Sequence, residues 1–388
     1  MVYGKNSKNK KEYAEWLASH QPFHWYAEFY RIIEGNGGFD VVIGNPPYVE
    51  YSKVRKTYQI YNYKTEKAGN LYAYIIECSL SIMCPASRIG MITQMSGYCT
   101  PRMIPYQNHL YNNLSNCYVS FYDDRPGKLF DIEHIRVAIM LGTKGYVNNL
   151  LVNTTNYIKF KSEFRDYVFY LVNYFKSNNS IKEGAILKIN NILSDKIAEK
   201  LWYKKAKLLD YISAEENENF VYYGYGYGYF GKILTEKSYF KGENVKESTG
   251  DKYIFFDKKY DNNIFVALMN SSLFYWFYVN FSDGHNFTKT VISSIPFEYP
   301  NGEILKLLKQ KNKSLMINLK ENSNIKKAIY KATGKVEYAE YYPKLSKPII
   351  DEIDKVLAQH YGFTDEELDF IVNYDIKYRM GGELEGEE

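Results

Sequence analysis

The string Asn45-Pro46-Pro47-Tyr48 is the one whose residue types and spacing most directly suggest chemistry. An exocyclic amine on an aromatic base is a poor nucleophile because its lone pair is delocalised into the ring. A site that acts on it needs acceptors that grip both amine hydrogens and aim the nitrogen. The side-chain oxygen of Asn45 and the carbonyl of Pro46 supply two such acceptors. Proline fixes φ there, donates no competing N–H and holds its carbonyl rigidly. Tyr48 adds a π-face on which an unpaired base can stack, an interaction worth about 1–3 kcal/mol per base. The plainer reading of the same string is a stiff turn after a strand, since Asn-Pro pairs commonly begin turns.

The elements around the string suit either reading. Phe39 to Gly44 is a continuous apolar run ending in glycine, which predicts a buried parallel strand with a functional loop at its carboxyl end. Leu71, Ile75, Ile76, Leu80 and Met83 follow at helical spacing, and Arg88 to Thr93 reads as a second strand. Asn108 to Leu114 predicts a helix, and Cys117 to Tyr122 and Arg136 to Gly142 predict strands that close in a hairpin. The order is that of an α/β fold. After about residue 150 the chain turns Tyr/Asn/Lys-rich. Ile349, Ile350, Ile353, Val356 and Leu357 then mark a helix, and Thr364-x-x-Glu367 is a capping box opening another.

With its flanks, Gly38 to Val49 resembles motif IV of the gamma-class adenine-N6 DNA methyltransferases found in TaqI-type and type IIG restriction-modification enzymes. Asn70-Leu71-Tyr72, followed by a helix carrying Glu77, resembles motif V, and Arg88 to Thr93 resembles the next strand. Cys84-Pro85-Ala86-Ser87 stands where the family has Lys-Pro-Gly-Gly. Leu129-Phe130 resembles motif VIII, which makes Phe130 the candidate to pack against the flipped base; a core phenylalanine is the alternative. Residues 267–276, 282–284 and 295–297 look like the family's target-recognition domain.

The resemblance implies a partial Rossmann-like methyltransferase sheet over residues 1–150 and a mixed α+β target-recognition domain over 151–388. It also implies double-stranded DNA as substrate, S-adenosylmethionine as methyl donor, and roles for four residues: Asn45 and Pro46 gripping the amine, Pro47 shaping the loop, Tyr48 stacking on the base. The family places its cofactor motif, a strand leading to an acidic Gly-rich turn, before the Asn-Pro-Pro-Tyr loop. The 44 residues before Asn45 contain none, so the cofactor-binding residues stay unassigned. The expectation is about half a sheet, with Val41 to Ile43 forming an unpaired apolar edge covered by a polypeptide that carries the N-terminal cofactor half.

A permuted enzyme would place that motif later, and Gly226-x-Gly228-x-x-Gly231 fits G-x-G-x-x-G literally. No aliphatic strand leads into it, and it sits in a tyrosine-glycine run whose rings either face DNA or pack together. Two other functions stay in competition: a catalytically inert DNA-recognition fragment, and a methyltransferase of RNA or protein.

Composition bounds the rest. The 388 residues suffice for two domains, and aromatic residues reach 17% because there are 41 tyrosines. That enrichment fits wet stacking surfaces or a low-GC coding bias. A net charge of +4 is only mildly basic, so distribution matters more than the total. Lys53, Arg55 and Lys56, with Lys64 and Lys67, follow the motif where a DNA backbone would pass, or form a solvated loop. Cys78, Cys84, Cys99 and Cys117 show no C-x-x-C spacing, which points to a reduced cytoplasm and to neither zinc nor disulfides. His20 and His24 have helical i, i+4 spacing, but Pro22 disfavours the helix a metal pair needs. Asn270, Ser271 and Ser272 break the apolar stretch Ile264 to Phe281, predicting a buried helix and not a membrane span. The acidic end at Glu383, Glu385, Glu387 and Glu388 reads as a solvated tail.

Overall fold

The apolar runs read as strands join in one six-stranded mixed sheet in the computed structural model, which describes residues 8–381 apart from 22, 58, 131–133, 249 and 332. The acidic tail lies outside the described residues. Helices α1 (Lys10–His20) and α2 (Trp25–Glu28) precede β1 (Phe39–Gly44). Then follow α3 (Tyr51–Val54), α4 (Leu71–Ser81), β2 (Met83–Gln94), α5 (Ile104–Asn113), β3 (Leu114–Tyr122), β4 (Val137–Lys144), β5 (Val152–Ile158) and β6 (Phe175–Lys176). The lateral order is β1-β2-β4-β3-β5-β6. β1 is parallel to β2, β4 is antiparallel to both β2 and β3, and β5 is parallel to β3. The ends of β1, β2, β3 and β5 and the start of β4 therefore share one margin of the sheet. Loops from distant parts of the sequence meet there.

α4 buries Tyr72, Ala73, Ile76 and Leu80 beside β2, while Ile75, expected on the same face, is 38% exposed. Between β1 and β2 the register passes from Phe39↔Met83 to Val41↔Arg88, so residues 84–87 form a bulge within β2. Ala86 sits there at φ +60°, a left-handed conformation that glycine adopts at least cost. This is the position where the resembled family has Gly.

The expectation of a buried β1 is corrected. A parallel strand is buried only when both its faces are covered, and β1 is a marginal strand with Val41 54% and Ile43 81% exposed. Two apolar cavities share these residues: one of about 690 Å³ reaching Trp25, Leu71 and Ile75, another of about 660 Å³ over Gly90, Ile139 and Leu141. The unpaired edge expected of Val41 to Ile43 is thus present among the described residues. An apolar edge of this kind recruits further strands. Ile43→Lys is expected to raise several-fold the concentration at which the isolated chain self-associates, with an unchanged melting temperature; sedimentation velocity reads the first and calorimetry the second.

Beyond the sheet come a small hairpin of β7 (Ile181–Lys182) and β8 (Ala185–Ile186), then α6 (Ile192–Trp202), β9 (Phe220–Tyr223), β10 (Phe240–Gly242) and β11 (Lys252–Phe255), which pairs with β9. Next are α7 (Asn262–Asn270), α8 (Ser272–Phe281), α9 (Lys289–Ser293) and α10 (Gly302–Glu321). The chain continues with β12 (Ser323–Tyr330), β13 (Gly334–Tyr341), α11 (Lys347–Tyr361), α12 (Asp365–Val372) and α13 (Ile376–Met380). The apolar stretch 264–281 forms α7 and α8, bent by 67° where Ser271 caps the second helix through its bond from the Phe274 N–H. Both are buried nearly throughout. Among the described residues no single helix is long and apolar enough to cross a membrane. The expected α11 buries Ile350, Ile353, Val356 and Leu357, and the capping box at Thr364 and Glu367 is formed in both directions.

Candidate active site

The Asn-Pro-Pro-Tyr loop leaves the end of β1 at the shared margin. Asn45 and Pro47 are exposed, Pro46 is buried and Tyr48 is half-buried. The Tyr48 hydroxyl donates to Asn45 Oδ1 at 2.8 Å. Burial pushes the Tyr48 hydroxyl up to about 12, so it stays a protonated donor at neutral pH. Its ring meets Tyr72 edge to face, with centroids 6.2 Å apart. Behind Tyr72 an aromatic ladder continues through Tyr106, Tyr98 and Phe121. The Tyr98 and Tyr106 hydroxyls are bonded to each other at 3.0 Å, and Tyr98 accepts from Thr93 at 3.1 Å. A buried hydroxyl without a partner would cost about 1–3 kcal/mol; here the chain of rings gives the loop a stiff, satisfied floor.

A clip fixes the loop downstream. The Leu71 N–H donates to Val49 O and the Tyr51 N–H to Gly69 O, each at 2.9 Å. Arg102 grips Glu50 with two parallel bonds, Nη1 to Oε2 at 2.9 Å and Nη2 to Oε1 at 2.7 Å, and Asn70 Nδ2 adds a third at 3.2 Å. Burial pushes the Glu50 carboxyl up, but the bonds and charge of Arg102 and the bond from Asn70 outweigh it and hold it below its ordinary value. Glu77, the acidic residue of the predicted helix, ties down the Lys64–Thr65 turn by accepting from both N–H groups and the Thr65 hydroxyl. Burial likewise pushes its carboxyl up, and these bonds bring it below the ordinary value. The Arg102–Glu50 pair is half-exposed, with side chains 55% and 36% accessible, so it contributes little to global stability. Arg102→Met is expected to leave the melting temperature nearly unchanged while the Tyr51 amide exchanges its hydrogen faster; equal exchange rates would show that the clip does not depend on the ion pair.

The structure brings a second group to the same margin that the sequence did not suggest. Arg136, just before β4, bonds through Nε to Asp123 Oδ1 at 3.0 Å and Asp124 Oδ1 at 2.9 Å, both just after β3. The Tyr157 hydroxyl donates to Asp123 at 2.9 Å, and Lys159, at the end of β5, meets Asp375 at 2.6 Å. Arg136 Nη1 also reaches the carbonyl of Asp283 at 3.5 Å, so the cluster joins the sheet to the Asp283 loop and to α13. Burial holds Asp123 above its ordinary value despite Arg136 and Lys159 beside it. These partners lie far apart in the sequence, and no local pattern marks them.

Of the residues expected near the base, Leu129 packs in the apolar cluster that also receives Tyr48, while Phe130 is 38% exposed. Phe130 is therefore not a core phenylalanine. Lys53, Arg55 and Lys56 are exposed on and just after α3, directly beyond the loop. Of the two roles open for the Gly226 to Gly231 run, packing accounts for Tyr227, which is buried and donates to Met269 O at 2.7 Å. Tyr225 is 63% exposed, with Lys252 Nζ 4.7 Å from its ring centroid. His20 ends α1, whereas His24 caps α2 by accepting from the Ala27 N–H, so the two do not share a helix. Among the described residues no cluster of three or more His, Cys, Asp or Glu could hold a metal.

Residues 2–125 match the Eco57I restriction-modification methylase family, a span that contains the loop, the clip and β1 to β3. Among solved structures, the Type IIL restriction-modification enzyme MmeI in complex with DNA is 10% identical, with 87% of this chain and 57% of that chain covered and a TM-score of 0.44. The type IIG restriction endonuclease BpuSI is 10% identical, with 86% and 54% covered and a TM-score of 0.28. A modification subunit of a putative type I restriction enzyme from Vibrio vulnificus is 12% identical, with 39% and 37% covered and a TM-score of 0.27. The chain thus spans between 37% and 57% of the lengths of these three. No curated protein matches the sequence.

Proposed function

We propose that this chain, whose residues 2–125 match the restriction-modification methylases, is the part of a site-specific DNA methyltransferase that holds the target adenine and presents its exocyclic amine for methylation. The observation that carries the reading is the Asn45 carboxamide, exposed at the sheet margin and oriented by the Tyr48 hydroxyl. In this reading Asn45 Oδ1 and the Pro46 carbonyl accept the two amine hydrogens, which draws the nitrogen lone pair out of conjugation. Pro47 keeps the loop in shape, and Tyr48 and the exposed Phe130 pack on the flipped base. Lys53, Arg55 and Lys56 meet the DNA backbone, and the chain beyond β6, which ends the six-stranded sheet past the expected boundary at residue 150, supplies target recognition within a restriction-modification system.

S-adenosylmethionine supplies the methyl group when bound. The described residues do not fit it: no strand lies on the free side of β1, and no Gly-rich turn with an acidic strand end stands beside Asn45. The reading therefore includes a polypeptide segment, in the same chain or another, that pairs with β1, fills the two apolar cavities and carries the cofactor half. A second reading, an inert DNA-recognition fragment, is favoured by that same open edge.

The test is methyl transfer from methyl-labelled S-adenosylmethionine to duplex DNA by the native assembly, followed by digestion to nucleosides. Label in N6-methyladenine is the expected result; label in cytosine, or in RNA or protein instead of DNA, would sink the proposal. Calorimetric titration of the isolated chain with S-adenosylmethionine is expected to show no saturable binding. An assembly that binds DNA and transfers no label supports the inert reading.

A further inference from the structure

We infer that the ribbon formed by β12 and β13 is a DNA-contacting arm that enters the groove of a duplex. The two strands pair antiparallel from Ser323↔Tyr341 to Tyr330↔Gly334, eight residues each, and so extend about 26 Å at the usual rise of a strand. β13 also pairs with β10 over three residues, while the outer side of β12 has no neighbouring strand among the described residues. The ribbon departs from the end of α10 and returns at α11, two helices that pack on each other and anchor it in the core. Its tip is held firmly. Gly334 turns at φ +71°, and Glu243 accepts from the Lys335 N–H at 3.0 Å while its own N–H donates to Lys335 O at 2.9 Å.

What this arm displays differs from what an edge strand needs for solubility alone. Lysine on an edge strand is a common guard against aggregation, and Lys326 and Lys327 are already matched across the ribbon by Glu340 at 2.9 Å and Glu337 at 3.1 Å. Lys331 and Lys335, flanking the turn, have no carboxylate within ion-pair distance among the described residues. Ile329 and Tyr330 near the tip and Ile325 nearer the base of the ribbon are 76%, 51% and 53% exposed, which no guard against aggregation would favour. Two lysines at the tip, against the Glu243 carboxylate that holds the Lys335 N–H, and apolar side chains along the open β12 edge complement a duplex. Its major groove admits a β-ribbon, its phosphates attract the lysines, and thymine methyls accept apolar contacts.

This inference rests on the DNA reading above, and the experiment separates the two. The full chain is titrated with a 30-bp duplex of arbitrary sequence over a range of salt concentrations, followed by fluorescence anisotropy. Lys331→Gln/Lys335→Gln is expected to weaken binding and to flatten the slope of log K against log salt by about 2, close to one per lost phosphate contact. Both side chains are exposed, so the variant should melt as the parent does. DNA binding with the same affinity and slope in the variant would overturn the arm and leave the function standing. No duplex binding at any salt by the parent would overturn both. A dimer dissolved by Ile329→Lys, with DNA binding unchanged, would assign the ribbon to a second copy of the chain and overturn the inference.

Discussion

Asn45→Ala is expected to lower the rate of methyl transfer by about 10²–10³-fold, the usual loss when one preorganised polar contact to the reacting group is removed. In the proposed function the amine has to surrender conjugation before it can attack, and the carboxamide oxygen is the directional acceptor assigned to that step. Because Asn45 is exposed and its side chain bonds the equally local Tyr48, its removal should leave folding and DNA affinity close to those of the parent. Single-turnover transfer in the native assembly, with DNA affinity measured in parallel, isolates the chemical step. A variant that transfers methyl at the parental rate would remove Asn45 from the reaction.

Arg136→Met is expected to destabilise the chain by about 3–5 kcal/mol near pH 8, because deleting one side of a buried ion cluster leaves the other side uncompensated. Asp123 and Asp124 would remain buried at the end of β3 without the guanidinium they share. The sign of the pH dependence follows. Burial already raises the Asp123 carboxyl, and losing Arg136 raises it further. A carboxyl raised on folding contributes stability below its unfolded value, near 3.8, and loses it as pH climbs through the folded value. For Asp124, burial pushes up but Arg136 holds the carboxyl below its ordinary value; that stabilisation, present above 3.8 and lost on acidification, disappears in the variant. Both effects make the deficit greatest at alkaline pH and smaller as the solution is acidified. Urea unfolding of both proteins at pH 8 and pH 5 reads it, and a constant deficit would mean that neither carboxylate of the variant changes its protonation between those two values.

The parts of the fold legible in the sequence are those that local pattern dictates. β1, α4, β2, the β3–β4 hairpin, α11 and the Thr364 capping box each announce themselves within a dozen residues through periodicity, a cap or an apolar run. The loop that carries the candidate chemistry was legible for the same reason, since its residue types are contiguous. What could not be read is whatever depends on pairing at a distance. Glu50 finds Arg102 fifty-two positions away, and Arg136 reaches Asp283 across 147. The apolar run of β1 marks a strand meant to be covered and says nothing of which segment covers it, which is why its exposure is not legible. Tyr227 and Tyr225 share one composition-biased run yet have opposite environments, which their α7 and Lys252 neighbours decide.

The bond from Tyr48 to Asn45 bears on the symmetry of the amide. A carboxamide has two ends of nearly equal size and opposite polarity, and turning it by half a circle would aim two donors, not an acceptor, at an incoming amine. The phenol oxygen shares its lone pairs with the ring and is a better giver than taker of a hydrogen bond, so it selects the orientation in which Oδ1 faces it. That oxygen keeps a second lone pair, the one the proposed function assigns to the base. The tyrosine thereby acts as a polarity lock: before any base arrives, it has decided that the asparagine will receive.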